Sequence, residues 1–203
     1  INPDVKFYKN TIDELITFSS KHNDYAILAP ISDDIRYPNY KIKNKKLQNN
    51  DLEFLSVDSV DGYAMLINKN KFQDNFFFDE NFFLYLENDD LCLRMKKENN
   101  KIYISKKAKI NHLGGKSHSP IYEKEIEFSR NWHWMWSKFY FNKKHFGYLR
   151  AFLTSIPTLT TSIIKFFYYF VVLNKFKKKI YMMRFLGLIN SILGKKSWYR
   201  PQI

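Results

Sequence analysis

No aspartate or glutamate follows Glu127 in this chain of 203 residues, although fourteen lysines and arginines do. The residues up to that point carry 19 basic and 20 acidic side chains, so they are nearly neutral. The net charge of +13 therefore lies in the C-terminal part of the chain. Such an asymmetry predicts two parts with different partners. We expect a balanced domain over residues 1–119 and a basic, helical tail over residues 120–203.

The basic tail is also rich in large apolar side chains, with an almost uninterrupted apolar or hydroxylic run over residues 151–173. Cations interleaved with such residues favour an anionic membrane surface, and with no RNA-binding motif in view we expect no nucleic-acid partner. The run has the length of a bilayer-spanning helix, but Lys165 and Pro157 disfavour that interpretation. An interfacial helix is favoured over a spanning helix and over a helix packed on the protein core.

The chain opens with Ile1 rather than methionine, and its first residues show no secretory signal. The single cysteine, Cys92, excludes a disulfide framework and a cysteine-rich zinc site within the chain. We expect a piece of a longer protein, cytoplasmic and peripheral on the cytoplasmic face of the membrane.

Helix-like and strand-like segments alternate before residue 120, which indicates an α/β fold. The predicted helices cover 11–22, with Thr11 as the N-terminal cap, and 89–99. The predicted strands cover 25–29, ending at Pro30, then 53–60 and 101–105, and residues 62–67 are a second apolar run. In the tail we expect a long helix over 121–141 and an amphipathic stretch over 180–193.

Three short motifs carry side chains suited to chemistry. Carboxylates and aromatic side chains are frequent between Asp79 and Asp90. Carboxylates beside apolar side chains are what metal binding or general base catalysis needs. The alternative is the exposed start of a helix, where Asp and Glu are favourable. His112 precedes the Gly114-Gly115 pair, where backbone amides can approach an anion; an ordinary turn is the alternative. Asp4 follows Asn-Pro, which by itself indicates a turn.

Together these motifs resemble the C-terminal half of family-two glycosyltransferases, in particular the rhamnosyltransferase-like branch. The similarity covers about residues 1–117 and is most specific at 77–94, FFDENFFLYLENDDLCLR, and at 112–117, HLGGKS. It implies a GT-A fold, an α/β sandwich around a mostly parallel sheet, with the nucleoside-binding strands lying before Ile1. The implied activity is inverting transfer of a sugar, rhamnose being one option, from a nucleotide-sugar donor to a lipid-linked or cell-surface saccharide acceptor.

The resemblance also assigns roles to residues. Asp4 and His112 would hold Mg²⁺ or Mn²⁺ on the donor diphosphate, and Arg94 would brace the acidic loop or the leaving phosphate. A substrate-binding role falls to five residues: Gly62, Tyr63, Ala64, Asp79 and Glu80.

The general base is usually the aspartate of a Glu-Asp pair, which here is Glu87-Asn88. An amide cannot accept a proton at neutral pH, so Glu87 is the first candidate for the base and Asp90 the second. On this basis an aspartate at position 88 should leave activity similar or raise it.

A non-catalytic, basic membrane-binding or scaffold protein is the alternative function, supported by Asn88 and by the absent N-terminal half. Expressed alone, the 203 residues are expected to be inactive and poorly folded. The reason is that the strand over 25–29 would have an unpaired edge without the preceding strands.

Overall fold

The computed structural model describes residues 1–42, 53–72, 76–113 and 120–201. The chain divides into two compact units. The first unit comprises Ile1–Asp79 and Glu87–Ser117, and the second comprises Glu80–Leu86 and His118–Ile203. The sequence did not predict that the short segment Glu80–Leu86 groups with the C-terminal helices.

The first unit is a mixed α/β structure. Its elements in chain order are β1 (Val5–Phe7), α1 (Thr11–Lys21), β2 (Tyr25–Ser32), β3 (Tyr40–Lys41), β4 (Phe54–Ser56), β5 (Ser59–Val60), β6 (Leu66–Ile67), a 3-10 turn (Lys69–Lys71), α2 (Glu87–Lys97) and β7 (Lys101–His112). The α/β class expected from the sequence is thus confirmed.

The main sheet is built around β2 and β7, which pair in parallel. β6 lies antiparallel along the other edge of β2, while β1 and β4 lie antiparallel along the other edge of β7. β3 and β5 form a separate two-stranded antiparallel sheet. The described sheet is therefore mixed, and only one of its pairings is parallel, whereas the resemblance implies a mostly parallel sheet.

The central strand β2 is buried because a helix packs on each side of it. Leu28 lies in one apolar cluster with Phe18 of α1. Ile27 and Ala29 lie in another with Leu91 of α2. The period of two along the strand thus sends successive side chains to opposite faces of the sheet.

Three local predictions for the first unit are wrong. β2 continues through Pro30 to Ser32; β7 pairs along one edge, while β6 pairs with only Ile27 and Leu28 on the other. Thr11 is the first residue of α1 rather than its cap, and its hydroxyl donates a hydrogen bond to the carbonyl of Lys109. The strand expected over 53–60 is two strands, β4 and β5.

The second unit is mainly helical in its described part, apart from Glu80–Leu86 and the residues after the last helix. After a 3-10 turn (Pro120–Tyr122) come α3 (Glu123–Phe146), α4 (Tyr148–Val171) and α5 (Lys175–Ile192). The expected helical C-terminal region is confirmed, and the helix predicted over 121–141 extends further.

Helices α3 and α5 approach each other closely at a glycine. A Cβ built on Gly187 would lie 2.2 Å from the carbonyl oxygen of Trp132. One turn further, the hydroxyl of Ser191 donates to the carbonyl of Trp136 at 2.9 Å. Only a residue without a side chain permits this approach of two backbones.

The residues after α5 fold back onto α3 through a buried histidine. The Nε2 of His133 lies 2.8 Å from the carbonyl oxygen of Tyr199, and its Nδ1 lies 2.9 Å from the hydroxyl of Ser197. A neutral ring that donates from Nε2 and accepts at Nδ1 satisfies both contacts. Burial lowers the pKa of His133 to about 4, so the imidazole is neutral in the folded protein near pH 7.

Helix α4 buries small residues and exposes large ones. Ala151, Ser155 and Ser162 are its buried positions. Leu153 and Phe167 are 55% and 59% exposed. Within the described ranges, no helix combines the length and the apolarity that a bilayer crossing requires.

Candidate functional site

Strand pairing brings Asp4 and His112 together. Val5 of β1 is the register partner of His112 at the end of β7, and the amide of Leu113 donates to the carbonyl of Asp4 at 3.0 Å. Asp4 Oδ2 consequently lies 3.4 Å from His112 Nε2, with the two side chains 10% and 22% exposed. Two residues from distant parts of the sequence thus form one polar pair at a sheet edge.

Tyr63 fixes the plane of the His112 imidazole. The two rings stack with centroids 4.1 Å apart and planes inclined by 11°. The Tyr63 hydroxyl donates to the carbonyl of Tyr37 at 3.0 Å, and burial raises its pKa, so the phenol stays neutral. The position of the ring is therefore set by packing, which leaves Nε2 directed at Asp4.

Of the residues expected to bind substrate, Tyr63 and Ala64 are not on an open surface, whereas Gly62 is exposed. Tyr63 and Ala64 are buried in an apolar cluster with Ile110. A Cβ on Gly62 would lie 3.3 Å from the Cβ of Asn88. In this structure Tyr63 packs against His112 of the Asp4–His112 pair. The geometry therefore does not favour direct contact of the buried Tyr63 and Ala64 with an acceptor.

An ion-pair network beside this segment was missed by sequence reasoning. Lys41 Nζ lies 3.2 Å from Asp89 Oδ2 and 3.7 Å from Asp61 Oδ1. Burial raises the pKa of Asp61; Asp89 adds to this, while Lys41 and His112 oppose it. In the sequence, only the Asp61-Gly62 pair, which is typical of a turn, marked this region, and it does not predict that a lysine twenty residues earlier pairs with Asp61.

Glu87 is a half-buried carboxyl at the start of α2. Burial raises its pKa; a hydrogen bond from its own backbone amide opposes this, and the nearby charge of Asp89 adds to the rise. Its Oε2 is buried and has no hydrogen-bond partner among the described residues. Tyr85 and Leu86, directly before it, have φ of 71° and 67°, a backbone conformation that costs free energy in non-glycine residues. These are properties of a carboxyl poised to accept a proton.

Asn88 has a structural contact that explains an amide at this position. Its side chain is buried, and Nδ2 donates to the carbonyl oxygen of Val60 at 2.7 Å. This bond ties the first turn of α2 to β5. An aspartate would place an acceptor against an acceptor, which is unfavourable for stability. The expectation that Asp at position 88 leaves activity similar or raises it stays a prediction.

Asp90 and Arg94 form an ion pair with each other. Asp90 is fully buried, and its Oδ2 lies 2.9 Å from Arg94 Nε one turn along α2. The same guanidinium donates to the carbonyls of Phe76 and Phe77. Between the two candidate bases the geometry therefore favours Glu87. For Arg94 it favours bracing the acidic loop over holding a phosphate.

The remaining predicted residues are placed as follows. Asp79 is buried, and Glu80 is exposed. The Gly114, Gly115 and Ser117 turn lies outside the described residues.

The Asp4–His112 pair offers two possible metal ligands. Among the described residues there is no group of three or more His, Cys, Asp or Glu side chains that could hold a metal ion. A carboxylate and an imidazole alone do not make an all-protein cage. The Asp4 carboxylate suits a Mg²⁺ or Mn²⁺ ion that takes its other ligands from a diphosphate and from water, whereas imidazole is a ligand that softer metals prefer.

Comparisons with protein-family models, with curated proteins and with solved structures give no match.

Proposed function

We propose that the chain carries the metal and acceptor side of an inverting glycosyltransferase that moves a sugar, rhamnose being one option, from a nucleotide-diphosphate donor to a saccharide acceptor. The observation that supports this most is the pairing of Asp4 with His112 by the β1–β7 register, in a unit that also holds the proton-accepting carboxyl Glu87.

In this proposal the chain's own residues have separate tasks. Asp4 and His112 would hold Mg²⁺ or Mn²⁺, and Tyr63 keeps the imidazole in place. The bound ion would supply charge stabilisation to the diphosphate leaving group. Glu87 takes the proton from the acceptor hydroxyl as its oxygen attacks the anomeric carbon and the bond to the diphosphate breaks. Its raised pKa suits this role, since a base works best when its pKa is near the working pH.

The basic tail supports an acceptor that is held at a membrane. No acidic residue follows Glu127, and large apolar side chains such as Leu149 and Ile164 are 71% and 61% exposed on α4. This combination favours an anionic membrane surface and hence a lipid-linked or cell-surface saccharide acceptor. The proposed location is peripheral, on the cytoplasmic face.

The test is turnover of a panel of nucleotide sugars by the intact protein, with and without Mg²⁺ or Mn²⁺, measured as release of the nucleoside diphosphate. Release that requires the metal supports the proposal. If no donor in the panel is consumed while the protein still binds anionic vesicles, the second candidate is favoured: a non-catalytic membrane-binding or scaffold protein. The exposed apolar face of α4 is the observation in favour of that candidate.

A further inference from the structure

Helix α3 holds the segment Glu80–Leu86 along one of its faces, within the second unit. The α3 residues that meet this segment are spaced by four, three and four positions, so they share one side of the helix: His133, Ser137, Tyr140 and Lys144. The ring of Phe83 lies 4.8 Å from that of His133, measured between centroids. The ring of Phe82 lies 4.9 Å from that of Tyr140. Contacts along successive turns of one helix thus fix the course of this short segment.

Ser137 binds the backbone of the segment rather than a side chain. Its hydroxyl donates to the carbonyl oxygen of Leu84 at 2.8 Å, and Ser137 is 0% exposed. A buried hydroxyl needs a hydrogen-bond partner inside the protein, and the Leu84 carbonyl provides it. The bond therefore fixes the peptide group from which the chain turns into Tyr85.

The turn that follows has a backbone that needs support. Tyr85 and Leu86 have φ of 71° and 67°, which non-glycine residues adopt only at a cost in free energy. Such a conformation persists where the surrounding structure holds it. The Ser137–Leu84 bond lies directly before the turn, and the Tyr85 ring packs edge-on against Trp134 with centroids 5.4 Å apart. The next residue in the chain is Glu87, the first residue of α2.

We propose that Ser137 is a positioning residue for sugar transfer: by binding the Leu84 carbonyl it holds the left-handed turn at Tyr85–Leu86, from which the chain continues into Glu87. The inference rests on the proposed function, in which Glu87 takes the proton of the acceptor. A base must lie within hydrogen-bond reach of that proton, and a displacement of about 1 Å can lower the rate about 10²-fold. Without the Ser137 hydroxyl the turn relaxes, and Glu87 loses its fixed position.

The first test is the kinetics of Ser137→Ala in the intact protein, measured as nucleoside diphosphate release and corrected for the folded fraction. We expect kcat to fall roughly tenfold with the KM for the donor unchanged, because the proposed donor ligands Asp4 and His112 are untouched. Ser129→Ala is the matched control, since Ser129 is also buried on α3, and its kcat should equal that of the unchanged protein. A Ser137→Ala protein that loses only stability, with a normal kcat of the folded molecules, would overturn the proposal.

A second variant shows whether Ser137 acts through the turn. Asparagine adopts the left-handed backbone more readily than leucine, so the turn depends less on Ser137 in a Leu86→Asn protein. Adding Ser137→Ala to Leu86→Asn should therefore lower kcat only roughly threefold, relative to Leu86→Asn alone. Equal losses in the two backgrounds would mean that the two residues are independent, and would overturn the proposal.

A measurement without a sugar donor separates this inference from the proposed function. Carbon-13 NMR of the intact protein, labelled at its glutamate carboxyls, follows the titration of Glu87, and the signal is assigned by its loss in Glu87→Gln. Burial raises the pKa of Glu87, its own backbone amide opposes this, and Asp89, which pairs with Lys41, adds to the rise. A relaxed turn exposes the carboxyl to water, so its pKa should move towards the ordinary value in Ser137→Ala and not in Ser129→Ala.

An unchanged Glu87 titration in Ser137→Ala would overturn the positioning role, whatever the protein does with sugar donors. A shifted titration in a protein that consumes no donor would support the hold of Ser137 on the turn. The failure would then lie with sugar transfer alone.

Discussion

Gly187→Ala should destabilise the second unit through a clash between two backbones. The added Cβ would lie 2.2 Å from the Trp132 carbonyl oxygen, 2.9 Å from its carbon and 3.1 Å from its Cα. Main-chain atoms in a helix cannot rotate away as the end of a side chain can, so α3 and α5 must separate by roughly 1 Å.

The magnitude follows from three contributions. Overpacking of this kind costs about 1–3 kcal/mol, and weakening the Ser191–Trp136 hydrogen bond adds about 1 kcal/mol. The better helix propensity of alanine offsets about 1 kcal/mol. The free energy of unfolding should therefore fall by roughly 1–3 kcal/mol.

Tryptophan fluorescence during guanidinium unfolding is the assay, because all four tryptophans (Trp132, Trp134, Trp136 and Trp198) belong to the second unit. Gly194→Ala, in the same unit, is the control. A Cβ there meets nothing within 4 Å, so its cost comes only from a backbone φ of 70° and should be about 1–2 kcal/mol. A Gly187→Ala protein as stable as the unchanged one would refute the close approach of α3 and α5.

Three other predictions follow from the two units. Asn88→Asp should lower stability by about 1–3 kcal/mol, because a carboxylate would face the Val60 carbonyl. Thermal unfolding checks this, with Asn88→Ser for comparison. If Asn88→Asp is as stable as the unchanged protein, the hydrogen bond from Asn88 to Val60 does not hold α2 to β5. The pKa of His133 is about 4 in the folded protein and near 6.5 in the unfolded chain, so the unfolded state binds more protons between these pH values. The contribution of His133 to stability should be complete above pH 6.5 and should fall by up to about 3 kcal/mol towards pH 4. Urea titrations at several pH values check this, and His133→Gln should flatten the dependence of stability on pH. Asp4→Asn should weaken Mn²⁺-dependent donor binding in the intact protein, measured by calorimetry and partly restored by excess Mn²⁺; undiminished binding would exclude Asp4 as a ligand.

The sequence predicted those elements whose signal is local. Alternating and helical patterns located α1, α2, β2 and α3, and the charge break separated the helical tail from the α/β part. Bounds were missed where tertiary contacts decide them: β2 continues through Pro30 because β7 pairs with it there.

Among the site residues, the motif gave Asp4, His112 and Glu87, but it could not give their partners. The Lys41–Asp61–Asp89 network depends on how β3, β5 and α2 meet, which no local pattern encodes. Likewise, the motif shows Asn88 only as an amide where the base is usually an aspartate. The 2.7 Å hydrogen bond to the Val60 carbonyl shows that the amide connects α2 to β5.

The central claim is that Glu87, and not Asp90, accepts the acceptor's proton. The most direct test is nucleoside diphosphate release by the intact protein as Glu87→Gln and as Asp90→Asn, with each rate corrected for the folded fraction. Glu87→Gln removes the proton acceptor but keeps the size of the side chain, so turnover should fall by roughly 10²–10⁴-fold with donor binding unchanged. Asp90→Asn disturbs a buried ion pair and should act through stability alone. Near-normal turnover by Glu87→Gln, together with an inactive but folded Asp90→Asn protein, would contradict the account.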